Sequence, residues 1–146
     1  MKITSINLPK ATTAGDWFLY RNESLTALNL PKVTTAGDYF LHENRGLTTL
    51  DMTRLTEVGN YFLHYNLALT TLDFPELTKA GNSFLRWNRK LTTINLPTLD
   101  RVGYNFLQWN ESITTPPRVT QASPGFLLNK NPTQGLLNEN NLPQPA

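Results

Sequence analysis

The chain has 146 residues, of which 39% are hydrophobic and 16% are charged, and its formal net charge is +2. This composition suits a single domain with a hydrophobic core and is too apolar for a disordered chain. The absence of cysteine excludes disulfides, thiolate metal sites and a cysteine nucleophile, and because the basic residues are scattered among acids, no nucleic-acid partner is predicted.

The beginning of the chain, "MKITSINLPKATTAG", lacks the apolar segment of a signal peptide. No later stretch approaches the roughly 20 apolar residues that a membrane-spanning helix needs. We therefore predict no membrane insertion. The compartment is not predicted. It is the cytoplasm, or it is the cell surface or the exterior if a leader has been removed or lost.

Nearly the same string recurs along the chain at a constant spacing. Examples are "LTTLDMTRLTEVGNYFLHYN" from residue 47 and "LTTLDFPELTKAGNSFLRWN" from residue 69. A fixed period of this length is typical of a solenoid, in which each repeat forms one coil. We predict about six coils over residues 3–131, beginning at residues 3, 25, 47, 69, 91 and 113, and an irregular tail over 132–146. The sixth coil is missing about two residues after Thr115.

Two short strands are predicted in each coil. In the fourth coil, the alternation of Leu72, Asp73 and Phe74 has the period of a half-buried strand, and the segment "LTKAG" further along can supply a second. Proline follows the first strand in four of the coils and cannot occupy a helix interior. The pattern thus predicts a mainly β fold with a parallel sheet and little or no helix.

Glycine and asparagine recur at fixed positions and are predicted to be structural. Glycine at the thirteenth position of each coil indicates a corner that needs positive φ or a close approach of another backbone. Asparagine at the twentieth position can donate to and accept from backbone groups in the bend before the next strand, so stacked copies are expected to form a buried ladder. The glycines are Gly15, Gly37, Gly59, Gly81 and Gly103, and the asparagines are Asn22, Asn44, Asn66, Asn88 and Asn110.

The combination of "LTTINLP", "LDRVG" and "NFLQWN" is similar to leucine-rich repeats of the bacterial surface-antigen (BspA-like) kind. The resemblance covers residues 3–131, although family repeats usually carry cysteine at the twentieth position and are about one residue longer. It implies a right-handed parallel β solenoid, often part of a surface or secreted protein, that is used for adhesion or other protein contacts. It implies no catalytic activity.

Two surfaces are candidates for binding a partner. Equivalent side chains of stacked coils form columns about 4.7 to 4.9 Å apart, and the outward columns of the main strand are small and polar. A second set of columns contains large aromatics, with arginine and histidine beside them. Large aromatics beside arginine are preferred anchors of protein interfaces. The strand-face residues are Thr49, Asp51, Thr71, Asp73, Thr93 and Asn95, and the edge residues are Tyr65, Trp87, Trp109, Arg86 and His64.

Each candidate has a plainer interpretation. The strand face could be a solvated sheet without a ligand, and the aromatics, like a shorter row that includes Trp17, could stack on one another and only seal the edge. His42 and His64 lie one coil apart, but two imidazoles fall short of a zinc site. Asp51 and Asp73 are stacked as well, but they lack a cleft and a positioned nucleophile, so no catalytic residue is predicted. No metal and no cofactor are predicted either.

The leading hypothesis is a non-enzymatic module that binds a protein partner through the strand face and the aromatic edge. Alternatives are a carbohydrate or cell-surface adhesion module that binds a glycan, a structural fragment of a larger repeat protein and, least favoured, an ice-binding threonine array. The first coil carries no cap, so it could pair two copies into a homodimer or continue a longer array. Pro116 and Pro117 are expected to terminate the other end.

Overall fold

The computed structural model describes residues 2–113 and the backbone of residues 121–122. Within these residues each of the first five coils contains a three-residue strand followed by a two-residue strand, and there is no helix, so none that could cross a membrane. The longer strands are β1 (Ser5–Asn7), β3 (Ala27–Asn29), β5 (Thr49–Asp51), β7 (Thr71–Asp73) and β9 (Thr93–Asn95). The shorter strands are β2 (Thr13–Ala14), β4 (Thr35–Ala36), β6 (Glu57–Val58), β8 (Lys79–Ala80), β10 (Arg101–Val102) and β11 (Gln121–Ala122).

All strand pairs are parallel, and equivalent positions of successive repeats lie beside one another in the first five coils. Ile6 pairs with Leu28, which pairs with Leu50, so each step along the stack equals one sequence repeat. This arrangement confirms the predicted parallel β solenoid without helices. The five described longer strands are joined by about four turns, fewer than six coils would need, because most of the predicted sixth coil lies outside the described residues.

Strand β11 belongs to the sixth coil and continues the shorter-strand sheet. It pairs with β10 in a register that joins Arg101 to Gln121, whereas the same position of β8, Lys79, is one full repeat before Arg101. The last step is thus two positions shorter than the others, in agreement with the two residues expected to be missing after Thr115. The domain boundary near residue 131, the tail and the terminating role of Pro116 and Pro117 lie outside the described residues and stay predictions.

The interior consists of apolar columns that run through the stack. Phe40, Phe62 and Phe84 are fully buried, and neighbouring rings of this column lie 5.4 to 5.9 Å apart. Apolar residues at the first, ninth and seventeenth positions, most of them leucine, complete the core. A single coil exposes these side chains on both flat sides, so burial requires a neighbour.

The bend before each new strand has an unusual backbone. Residues at the fifteenth, seventeenth and nineteenth positions of all five coils have positive φ, between 54° and 65°, although none is glycine. Such a conformation costs an L-residue about 1 kcal/mol or more. Hydrogen bonds between coils offset the cost, for example from Tyr39 N to Asn60 O (2.8 Å) and from Tyr65 N to Arg86 O (2.9 Å). The sequence pattern did not indicate this backbone.

The recurring glycine is explained by close approach, the second of the two predicted reasons. The residue after it is Asp16, Asp38, Asn60 or Asn82 in the first four coils, and its Oδ1 accepts the backbone N–H of the equivalent residue one coil later at 2.7 to 2.8 Å. A Cβ on the next glycine would collide with this oxygen and would lie 2.8 Å from the backbone nitrogen behind it. This side-chain ladder was missed in the sequence.

Gly15 differs because no described coil precedes it. A Cβ on Gly15 would have nothing within 4 Å, whereas one on Gly59 would meet Asp38. Gly59→Ala should therefore lower the free energy of unfolding by about 1 to 3 kcal/mol, as overpacking does. Gly15→Ala should leave it unchanged or raise it by up to about 1 kcal/mol. Urea denaturation of the two variants measures the difference, and equal losses would contradict the close-approach explanation.

The outer side of the first coil has no neighbouring coil among the residues that the structure describes. Leu8 is 41% exposed and Phe18 36%, whereas their equivalents in the second coil, Leu30 and Phe40, are at most 1% exposed. Ile3 is exposed as well. This is the surface for which homodimer pairing is predicted, and the pairing stays a prediction.

Candidate functional site

The strand face carries the small polar residues that were predicted to meet a partner. Thr49, Thr71 and Thr93 are exposed, as are Asp73 and Asn95, while Asp51 is half-buried. Within this column Asn95 Nδ2 donates to Asp73 Oδ1 at 2.8 Å. The side chains thus bond along the solenoid axis, which reduces the number of groups that are free to bind a partner.

The structure divides this face into two sheets. Strands β1, β3 and β5 form one and strands β7 and β9 another, whereas the shorter strands form one continuous sheet. The break lies where the register of the repeat would place Asp51 beside Asp73. Like charges directly opposite each other destabilise a strand pair. The strand face is therefore interrupted at its centre, at two of the predicted site residues.

Removing one charge should close this interruption. We expect Asp51→Asn to allow its side-chain amide to donate a hydrogen bond to Asp73, as the amide of Asn95 does. This should raise the free energy of unfolding by about 0.5 to 1 kcal/mol. Amide hydrogen exchange at Met52 and Asp73 should slow. Glu76→Gln, which neutralises an exposed carboxylate elsewhere, is the matched control. Faster or unchanged exchange at Met52 and Asp73 would show that charge does not cause the break.

The aromatic edge consists of Tyr65, Trp87 and Trp109, one from each of three successive coils. Their side chains are half-buried. The rings of Trp87 and Trp109 are stacked, with centroids 5.0 Å apart and planes 16° apart, and Tyr65 is tilted by 58° against Trp87 at 5.9 Å. The faces of the Trp87 and Trp109 rings thus contact each other, Tyr65 packs against Trp87 at an angle, and the exposed parts of the three side chains form a ridge.

Arginine side chains lie over this ridge. The guanidinium carbon of Arg45 is 5.0 Å from the centre of the Tyr65 ring, and that of Arg89 is 4.8 Å from the centre of the Trp87 ring. Both are cation–π contacts. The sequence prediction named Arg86 and missed Arg45 and Arg89, although "WNR" at 87–89 places an arginine two residues after an aromatic.

A second aromatic row contacts the two histidines. Tyr39 and Tyr61 stack at 4.6 Å, and Tyr61 packs edge-on against His64. The two imidazoles are joined by a hydrogen bond of 3.1 Å between His64 Nδ1 and His42 Nε2. His42 Nε2 also lies 3.4 Å from the Glu43 carboxylate. In the described part of the chain no group of three or more histidine, cysteine or acidic side chains could hold a metal ion.

Burial lowers the pKa of both imidazoles, and His42 and Arg86 help to lower the pKa of His64 to about 4. The carboxylate of Glu43 acts in the opposite direction. Both rings are therefore neutral near pH 7, which suits a hydrogen bond in which one ring donates and the other accepts.

The buried imidazoles make stability depend on pH. An unfolded histidine has a pKa near 6.5, so between this pH and about 4 the unfolded chain binds a proton at His64 that the folded chain does not. Stability is therefore full above pH 6.5 and should fall by about 2 kcal/mol as the pH decreases to about 4.5. Urea denaturation across this range should give a shallower fall for His64→Gln. Equal falls would contradict the assignment to His64.

The asparagines at the twentieth position tie neighbouring coils together. Asn66 Nδ2 donates to Leu41 O of the preceding coil (2.8 Å) and to His64 O of its own (3.3 Å). Asn44, Asn88 and Asn110 repeat this pattern. The side-chain oxygens were predicted to accept hydrogen bonds as well. Oδ1 of Asn44 does so, from the backbone N–H of Asn22. The Oδ1 atoms of Asn66, Asn88 and Asn110 are buried without a hydrogen-bond partner.

Comparison with known proteins gave one family. The model of the BspA type leucine rich repeat region, in six copies, matches residues 1–114. This match agrees with the resemblance noted in the sequence and with the stacked coils. No curated protein and no solved structure showed significant similarity to the chain.

Proposed function

We propose that this chain, which belongs to the BspA type leucine-rich repeat family, is a non-enzymatic recognition module that binds a protein partner. The observation that carries the proposal is the aromatic edge of Tyr65, Trp87 and Trp109. Family membership supports a repeat module with a binding or structural role, and repeat families of this kind are generally non-enzymatic.

The edge has the chemistry of an interface anchor. Tryptophan, tyrosine and arginine are enriched among residues that contribute most to protein association. Here the rings are held by stacking and by Arg45 and Arg89, so little side-chain freedom remains to be lost on binding. The aromatics also stand at a position where other coils carry Arg21 or Glu43, so the repeat itself does not require a ring there.

The same geometry favours a protein over a glycan. A sugar ring binds best on an open aromatic face, but Trp87 is covered by Trp109 on one side and by Tyr65 and Arg89 elsewhere. The strand face is a weaker candidate because it is interrupted between β5 and β7. We therefore place the main contact on the aromatic edge, with Thr93 and Asn95 of the strand face as outlying contacts.

The test is binding of the partner recovered by affinity capture. The double variant Trp87→Ala with Trp109→Ala should weaken binding about 30-fold or more, since truncating a central tryptophan costs about 2 kcal/mol or more. Trp17→Ala removes an exposed tryptophan from another column and should leave affinity unchanged. Circular dichroism should confirm that the variants keep their β structure.

Unchanged affinity in the Trp87 and Trp109 double variant would exclude the aromatic edge. A glycan array probed with the same proteins covers the alternative. Binding to a glycan that the double variant loses, without a protein partner, would replace the protein-binding proposal by carbohydrate adhesion.

A further inference from the structure

A groove on the outer side of the shorter-strand sheet contains no residue of the aromatic edge. It extends over the third to fifth coils, and its volume is about 400 Å³. Sites for small ligands have volumes of about 300 to 1,000 Å³, so the groove can hold one. Besides aliphatic residues, it is lined by Glu57, Lys79, Gly81, Asn82, Arg101 and Gly103.

The groove exists because glycine occupies the thirteenth position of the repeat. Lys79 of β8 is exposed and Ala80 is buried, so the alternation of the strand returns Gly81 to the outer side. Glycine has no side chain to fill this position, and the close approach of the preceding coil excludes a larger residue. The shape of the groove thus follows from the repeat, whereas its chemistry depends on the residues that vary around the glycines.

Cations line the groove in the fourth and fifth coils. The register places Lys79 beside Arg101 on adjacent parallel strands, and like charges in this arrangement destabilise a sheet. Glu57 lies 3.5 Å from Lys79 on its other side. Arg101 is exposed and takes part in none of the ion pairs between described residues. The first two coils pair with Thr13 and Thr35 at this position, so the repeat does not require the two cations, and a bound anion would remove their repulsion.

The residue after the glycine changes in the same direction. Its Oδ1 forms the ladder between coils, and either aspartate or asparagine can supply this atom. The first two coils have Asp16 and Asp38, whereas the next two have Asn60 and Asn82. In the groove, Asn82 Oδ1 accepts the Tyr104 N–H at 2.8 Å, and the side-chain NH₂ group is not used by the ladder. The groove therefore offers a donor where the first coils have a negative charge.

We infer that this groove binds a small polar ligand through a carboxylate or phosphate group, with Arg101 and Lys79 holding the anion. Arginine can bind either group in bidentate fashion, and lysine adds a point charge. The amide of Asn82 donates a further hydrogen bond, and the body of the ligand lies along Gly81 and Gly103. Amide and charged groups suit hydroxyl groups better than an apolar ring, so an acidic sugar is the class of ligand that fits. The inference does not depend on the proposed function of the aromatic edge.

The probes are glucuronate and glucose-6-phosphate, which present a carboxylate and a phosphate on a sugar ring, and glucose is the neutral control. Titrated into the isotope-labelled full chain, at least one acidic sugar should produce saturable NMR shifts at the amides of Gly81, Gly103 and Asn82. Glucose should bind about tenfold or more weakly, because it lacks the charge-assisted hydrogen bonds. The acidic sugar that binds more tightly identifies the source of the anion.

Three results of the titration would overturn the inference. The first is the absence of saturable shifts up to about 10 mM, a concentration at which a ligand with a millimolar Kd is mostly bound. The second is equally tight binding of glucose. The third is equally tight binding of acetate or inorganic phosphate, which would show an adventitious ion only.

Variants of the protein locate the anion. Arg101→Gln should weaken binding of the acidic sugar about tenfold or more. Arg54→Gln removes an exposed cation outside the groove and should change the affinity less than about twofold. Asn82→Asp retains the Oδ1 that the ladder needs, as Asp38 does, but adds a negative charge to the groove. It should therefore weaken binding about tenfold or more, while the circular dichroism of the β structure persists.

Equal effects of Arg101→Gln and Arg54→Gln, or undiminished binding by the folded Asn82→Asp variant, would reject this site. The Trp87 and Trp109 double variant should bind the acidic sugar as tightly as the unchanged chain. Loss of the sugar in that variant would assign it to the aromatic edge and overturn the inference. Loss of the protein partner with retained sugar binding is the result expected for two separate sites.

Discussion

The structure depends on each coil lying directly on the one before it in a register that equals the sequence repeat. This register lets backbone groups bond between coils, places every leucine column over itself and determines which side chains become neighbours. It also stabilises a backbone that a single coil could not adopt, since each bend contains three non-glycine residues with positive φ. The inter-coil bonds of the bend, such as Leu63 N to Phe40 O at 3.2 Å, are available only inside the stack.

Stacking also determines what the surface can do. Because equivalent residues are neighbours, an aromatic placed in three successive coils meets its own kind, and the rings of Trp87 and Trp109 cover one another. The plainer interpretation of the row, that it stacks and seals the edge, and the functional one, that it anchors a partner, are therefore compatible. A half-buried ridge is preorganised by the packing that hides its faces, so it offers rigid contact area at low entropic cost.

The sequence predicted the parts of the molecule that repeat. The period, the alternation around Leu72 and the proline after the strand were sufficient for a parallel β solenoid, since few other folds repeat at this length without helices. It could not predict the ladder from Asp38 Oδ1 to Asn60 N, because aspartate after glycine is also ordinary turn chemistry. Arg45 was missed for a related reason. The ring that Arg45 contacts belongs to Tyr65 in the next coil, so no local sequence motif links the two residues.

The interruption between β5 and β7 and the charge of the edge have a common origin in the variable positions of the repeat. The strand face is interrupted where two aspartates stand in successive coils, while arginines two coils apart line the edge. Like charges in adjacent coils weaken the stack, whereas Arg45 and Arg89 belong to coils separated by the one that carries Leu67, and each guanidinium group lies over an aromatic ring. A solenoid can therefore place positive charge on one edge at little cost when coils that carry an arginine alternate with a coil that does not.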